Sequence, residues 1–181
     1  MKATGIVRRI DDLGRVVIPK EIRRTMRIKE GDPLEIFTDR EGEVIFKKYS
    51  PIGELSAFAA QYAETLHKIC DLSVVVCDRD AVIACAGVPR RELMDKGISS
   101  GLEQVIEKRS FYQYKQGGDT VSVTEEGNHT VSCAMPIISQ GDLIGCVCSV
   151  ISGQAADVQP GETEVKLIQT AANFLARQLE S

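Results

Sequence analysis

The first 53 residues constrain this chain most tightly, because they carry the pattern of a β-rich folding unit yet are too few to bury a core alone. Residues 3–10 are β-compatible, and Asp11-Asp12-Leu13-Gly14 supplies turn formers before the β-branched run Val16-Val17-Ile18. Pro19 suits the first turn of a helix, where its missing N–H costs nothing, and Lys20 to Met26 follows with Ile22 and Met26 on one face. Gly31-Asp32-Pro33 is expected to end that helix. Two further β runs, Leu34 to Thr38 and Val44 to Lys48, then flank the turn Asp39-Arg40-Glu41-Gly42. The expected order is ββαββ. A unit of about 50 residues rarely buries enough apolar surface to stand alone, so a second copy of the chain is expected to supply the rest.

Charge separates this segment from the remainder of the chain. Residues 1–53 hold 12 Lys and Arg against 9 Asp and Glu, and residues 54–181 hold 10 against 17, so the net charge of -4 is +3 in one part and -7 in the other. Attraction to a polyanion depends on such local clustering rather than on the total. The first 20 residues contain Lys2, Arg8, Arg9, Asp11, Asp12 and Arg15, which leaves no apolar core for a secretory signal. The most apolar stretch, Leu143 to Ile151, is about half the length of a membrane-spanning helix. A cytoplasmic protein without a membrane partner is expected.

Pro51-Ile52-Gly53 reads as a junction, giving domains of 1–53 and 54–181. A helix is expected over Glu54 to Ile69, where Leu55, Ala59, Tyr62, Leu66 and Ile69 are spaced 4, 3, 4, 3. Two heptads do not establish a coiled coil, so this stripe fits either its own domain or an oligomer interface. Leu72 to Cys77 and Ala81 to Cys85 read as a strand pair, and Leu102 to Lys108 as a helix. Thr130 to Ile138 and Leu143 to Ile151 read as a hairpin around Ser139-Gln140-Gly141-Asp142, before a closing helix over Glu162 to Leu179. The second domain is thus expected to be α/β, with an antiparallel sheet flanked by helices.

The six cysteines, 70, 77, 85, 133, 146 and 148, form no CxxC pair, and His67 and His129 are the two histidines, so no metal site is expected. Most of the thiols lie in apolar runs and read as buried small hydrophobes. No Gly-rich phosphate loop, GxSxG or paired histidine ligand is present, so neither catalysis nor a cofactor is expected. An approach of Cys77, Cys85 and Cys133 is the remaining thiol-chemistry option.

The run Thr4-Gly5-Ile6-Val7-Arg8-Arg9-Ile10-Asp11-Asp12-Leu13-Gly14-Arg15-Val16-Val17-Ile18-Pro19, with Glu21-Ile22-Arg23-Arg24, resembles the AbrB-type swapped-hairpin DNA-binding domain. That resemblance implies two interleaved chains with arginines facing DNA. Ala134-Met135-Pro136-Ile137 followed by Gly141-Asp142-Leu143-Ile144-Gly145 resembles the central hairpin of a GAF domain, although the Asn-Lys-Phe-Asp-Glu motif of cyclic-nucleotide-binding members is absent. The pairing and length resemble the stage V sporulation protein T family of spore-forming bacteria. Membership would imply a regulator that activates some late sporulation genes and represses others.

Arginine suits DNA because its planar fork grips phosphate or the O6/N7 edge of guanine, and its charge displaces counterions. Arg8, Arg15, Arg23 and Arg24, with Arg9 beside them, are the expected DNA contacts. Asp11 and Asp12 are read as turn formers or partners of these arginines. The alternative for Arg23, Arg24 and Arg27 is to complement the negative end of a short helix. The expected assembly is a homodimer through the first domain and a homotetramer overall, with the Leu55 to Ile69 stripe in the contact. The GAF-like domain is expected either to sense an unknown small ligand, with Arg90, Arg91 and Arg109 as candidate anion contacts, or to drive oligomerisation. The alternative function is an antitoxin-type DNA-binding protein whose C-terminal part holds a protein partner.

Overall fold

A computed structural model describes residues 4–152 and 159–180 and divides the chain into two units, residues 1–49 and 50–181. The division falls just before the expected junction because Pro51-Ile52-Gly53 belongs to the second unit. Helix α2, Pro51–Glu54, opens there with proline at its first turn, and Ile52 is wholly buried in that unit's core.

In the first unit, helix α1 spans Lys20–Thr25, strands β1 and β2 span Leu34–Thr38 and Val44–Lys48, and the strands pair antiparallel with Ile36 opposite Phe46. The helix ends earlier than Gly31 because Arg27 takes a left-handed conformation at φ 51°. The amide of Ile28 then donates to the Arg23 carbonyl at 2.7 Å and that of Arg27 to Arg24 at 3.3 Å, which closes the last turn. The two expected strands before the helix do not form within one chain. Residues 4–10 and 15–18 meet only at their turn, so no ladder builds. Val7, Ile10, Val16 and Val17 are exposed, Val7 at 84%. Among the described residues of this unit, Pro19 alone is buried.

The second unit has two cores on opposite faces of one sheet. Strands β3 (Val74–Asp78), β4 (Val82–Ala86), β5 (Tyr112–Gln113), β6 (His129–Ser139) and β7 (Asp142–Ser152) lie in the order β4-β3-β7-β6-β5, every neighbouring pair antiparallel. Period-two alternation assigns the faces: Val74 and Val76 join one core, Val75 and Cys77 the other. The first core is covered by α3 (Ser56–Cys70) and α6 (Glu162–Gln178) through Ala59, Ala63, Leu66, Ile168, Ala171, Ala172 and Leu175. The second is covered by α4 (Arg90–Leu93) and α5 (Ser100–Glu107) through Leu93, Leu102, Val105 and Ile106. Ser99 caps α5, its hydroxyl accepting from the Leu102 amide at 3.0 Å and donating to the Ser122 carbonyl at 2.6 Å.

The Leu55 to Ile69 stripe does not run as a single seam. Ala59 and Leu66 are buried in their own domain, because α3 faces the sheet at positions 59, 63 and 66. Leu55 is half-buried, Tyr62 stacks on Phe174 of α6 with ring centroids 5.5 Å apart, and Ile69 is 78% exposed.

At the end of the β3–β7 ladder, Gly145 lies opposite Asp78 and a Cβ there would run into the Cys77 carbonyl. Gly145→Ala is therefore expected to destabilise the second unit by about 1–3 kcal/mol, read as a lower urea midpoint. An unchanged midpoint would show that the strand pair yields at this point.

Candidate nucleic-acid interface

All five expected DNA contacts, Arg8, Arg9, Arg15, Arg23 and Arg24, are exposed in the first unit. Three come from the segment around the first turn and two from α1, so short local elements present the whole set. Arg8 bends back, its Nη1 donating to the Val7 carbonyl at 3.1 Å. Arg23 and Arg24 occupy the last turn of α1. Cations there also complement the negative helix end, so the helix-end role and the DNA role are compatible at these two positions.

The first turn is held by one carboxylate. Asp11 Oδ1 accepts from the Leu13 amide at 3.0 Å and the Arg15 amide at 2.7 Å, and the Asp11 amide donates to the Arg15 carbonyl at 3.1 Å. Gly14 takes φ 75°, the left-handed position that a three-residue loop of this kind requires. The other oxygen, Oδ2, accepts from Arg15 Nε at 2.8 Å. The second hairpin repeats the device: Asp39 Oδ1 accepts from the Glu41 amide at 3.0 Å and the Glu43 amide at 2.8 Å, with Gly42 at φ 86°.

The acidic second unit contains the remaining candidates. Arg109 is not a free anion contact, since its Nη1 donates to the Gly141 carbonyl at 2.7 Å. The approach of Cys77, Cys85 and Cys133 that thiol chemistry would need is not what the sheet brings together. Cys133 faces the α3/α6 core, whereas Cys77 lies opposite Cys146, whose Sγ is 3.6 Å from that of Cys148. Burial pushes Cys133 up to about 12 and raises Cys146 well above the ordinary thiol range. Among the described residues no group of His, Cys, Asp and Glu has the arrangement of a metal site. No sequence signal pointed to a buried His129, whose Nε2 lies 2.7 Å from Glu92 Oε2 across 37 positions.

Hydrogen bonds from the Arg15 amide and then its side chain hold the Asp11 carboxyl below its ordinary value. A depressed folded value means that the turn keeps its full stabilisation above about pH 3.9 and loses it as pH falls through the lower folded value. The Arg15 amide resonance is accordingly expected to stay unshifted in an NMR titration from pH 7 to 4.5. A midpoint at or above the ordinary carboxylate value would contradict this geometry.

Residues 54–180 match the family described as "Stage V sporulation protein T C-terminal, transcription factor", and residues 7–53 match "Antidote-toxin recognition MazE, bacterial antitoxin". Stage V sporulation protein T of Bacillus subtilis (strain 168) is 51% identical over 184 residues, covering 99% of each chain. The transition state regulatory protein AbrB of the same organism is 63% identical over 51 residues, 28% of this chain and 52% of its own. For the second unit, the solved structure of the cyanobacteriochrome receptor PixJ shares the fold, with a TM-score of 0.53 at 15% identity over 72% of this chain and 98% of that one. The first unit is thus AbrB-like, and the second shares the fold of that receptor structure. Because both halves match in order and the likeness spans nearly the full length, the chain belongs to the stage V sporulation protein T family of transcription factors.

Proposed function

We propose that this protein regulates sporulation-stage transcription, as activator and repressor, by binding duplex DNA through a homodimer of its first unit. The observation that carries the reading is the coincidence, in one small unit, of five exposed arginines with apolar side chains that lack a core. Ile10, Leu13 and Val17 are about 70% exposed, and Ile36 and Val44 about 60%. A second chain that covers these side chains doubles the arginines to ten on one assembly. Phosphate contacts then supply most of the affinity, and groove shape with limited base contact supplies the selectivity.

The second unit contributes assembly and sensing, and acts without catalysis. Self-association there falls to Tyr62 and Ile69, beside Phe58 and Phe174, because Ala59 and Leu66 are committed to their own core. That contact would join dimers into a homotetramer. Tyr112 Oη is buried without a hydrogen-bond partner among the described residues, next to the α5-side core. An orphaned buried hydroxyl costs about 1–3 kcal/mol, so a small polar ligand at that face would be favoured. The place of action is the cytoplasm, consistent with the lack of any described helix long and apolar enough to cross a membrane.

The antitoxin alternative draws on the MazE match over residues 7–53. Against it stands the second half, which packs two cores of its own, while 51% identity to the sporulation regulator spans both halves.

Arg8→Ala, Arg15→Ala, Arg23→Ala and Arg24→Ala are each expected to weaken DNA binding and to flatten the dependence of log K on log salt by about one unit for every phosphate no longer neutralised. Fluorescence anisotropy on duplex DNA across a salt series checks this. Salt-independent or undetectable binding by the wild-type protein would overturn the proposal.

A further inference from the structure

The two hairpin turns of the first unit form a matched pair, and the difference between them isolates a job that the turn itself does not need. In both, an aspartate at the first position accepts two backbone amides, two and four residues on, through one oxygen, and a glycine sits fourth in the left-handed region. Each aspartate amide also returns a bond to the carbonyl four residues on, at 3.1 Å in one turn and 3.2 Å in the other. The fifth residue differs: Arg15 in the first turn, Glu43 in the second. A glutamate at that place cannot bond a carboxylate in its ionised form, yet the second turn closes with the same backbone geometry. The Asp11 Oδ2 to Arg15 Nε contact is therefore additional to the turn.

We propose that Asp11 is a positioning residue for DNA recognition: its carboxylate fixes the Arg15 side chain in the pose that meets DNA. This rests on the assignment of Arg15 to the DNA face. The backbone of Asp11 is fixed by its turn, so its Oδ2 is a rigid anchor, and it engages Nε, one of the five guanidinium N–H donors. An arginine side chain that is 69% exposed and held by one contact at its base loses less rotamer freedom on binding than a free one. As an exposed ion pair it adds little to stability, so its effect belongs in recognition. Removing the Asp11 charge makes the protein more cationic, which on electrostatics alone would tighten binding to any duplex. Positioning predicts the opposite for the selected site.

The test uses the full-length protein, a duplex that the protein itself selects from a random pool, and a scrambled duplex of equal length and composition. Asp11→Asn keeps an amide oxygen for the two backbone bonds while removing the charged contact to Nε. It is expected to leave the melting temperature and oligomeric state unchanged, and to lower the ratio of selected to scrambled affinity by about five- to tenfold, within the range of one specific arginine contact. In the Arg15→Ala background the same change is expected to lower the ratio no further. Asp39→Asn, in the matched turn whose fifth residue is Glu43 instead of an arginine, is expected to leave the ratio within about twofold. An unchanged ratio in Asp11→Asn, a reduction that adds to that of Arg15→Ala, or an equal reduction in Asp39→Asn would overturn the positioning role. An Arg15→Ala variant that keeps the wild-type ratio would instead remove the assignment of Arg15 to DNA, and with it this inference.

Discussion

The apolar side chains of the first unit that find no core within one chain are the constraint on which the rest depends. Only Pro19 is buried there among the described residues, while Val7, Ile10, Leu13, Val17, Ile36 and Val44 lie open to solvent. A hydrophobic pattern of that density is unfavourable in water unless something covers it. The proposed cover is an identical copy, which offers complementary β-forming segments at the same place by symmetry. In the proposed dimer, association and the display of arginine have a common cause: the apolar residues would turn toward the partner, and the interspersed cations of the same segments would be left at the surface.

The second unit meets the opposite condition. Its sheet is covered on both faces, α3 and α6 on one and α4 and α5 on the other, so it is complete within one chain. Phe174, exposed beside the half-buried Phe58 and Tyr62, is the patch proposed for assembly, and the buried thiols pack as small hydrophobes in the described core. The two units differ in the sign of their charge as well, so the acidic half contributes no attraction to DNA and the cationic face is confined to a small part of the chain.

Legibility in the sequence depended on which interactions are local. The run Val74-Val75-Val76-Cys77 and the hairpin around Gln140-Gly141 were readable because period-two burial and turn chemistry act over a few residues. The Asp11 and Asp39 turns were equally readable as turns. The strands expected over residues 3–10 and 15–18 were readable as pattern, but their described residues build no ladder in one chain, since a strand needs a partner strand. The Leu55 to Ile69 stripe was ambiguous because spacing alone does not say which neighbour a helix faces; Ala59 and Leu66 turn to the domain's own core, while Ile69 stays exposed. His129 with Glu92, and Cys77 with Cys146, could not be seen in advance, because strand order and long loops bring them together. The short helix α4 and strand β5 were missed for a simpler reason: four and two residues are too few to carry a period.

Completion of the first unit by a second copy is tested most directly by the unfolding of residues 1–53 as a function of concentration, with the molecular mass measured in parallel by sedimentation equilibrium. A dimeric fragment whose urea midpoint rises with protein concentration is the predicted result, since its core exists only between two chains. A folded monomer with a concentration-independent midpoint would contradict the claim that this unit is completed by a second copy.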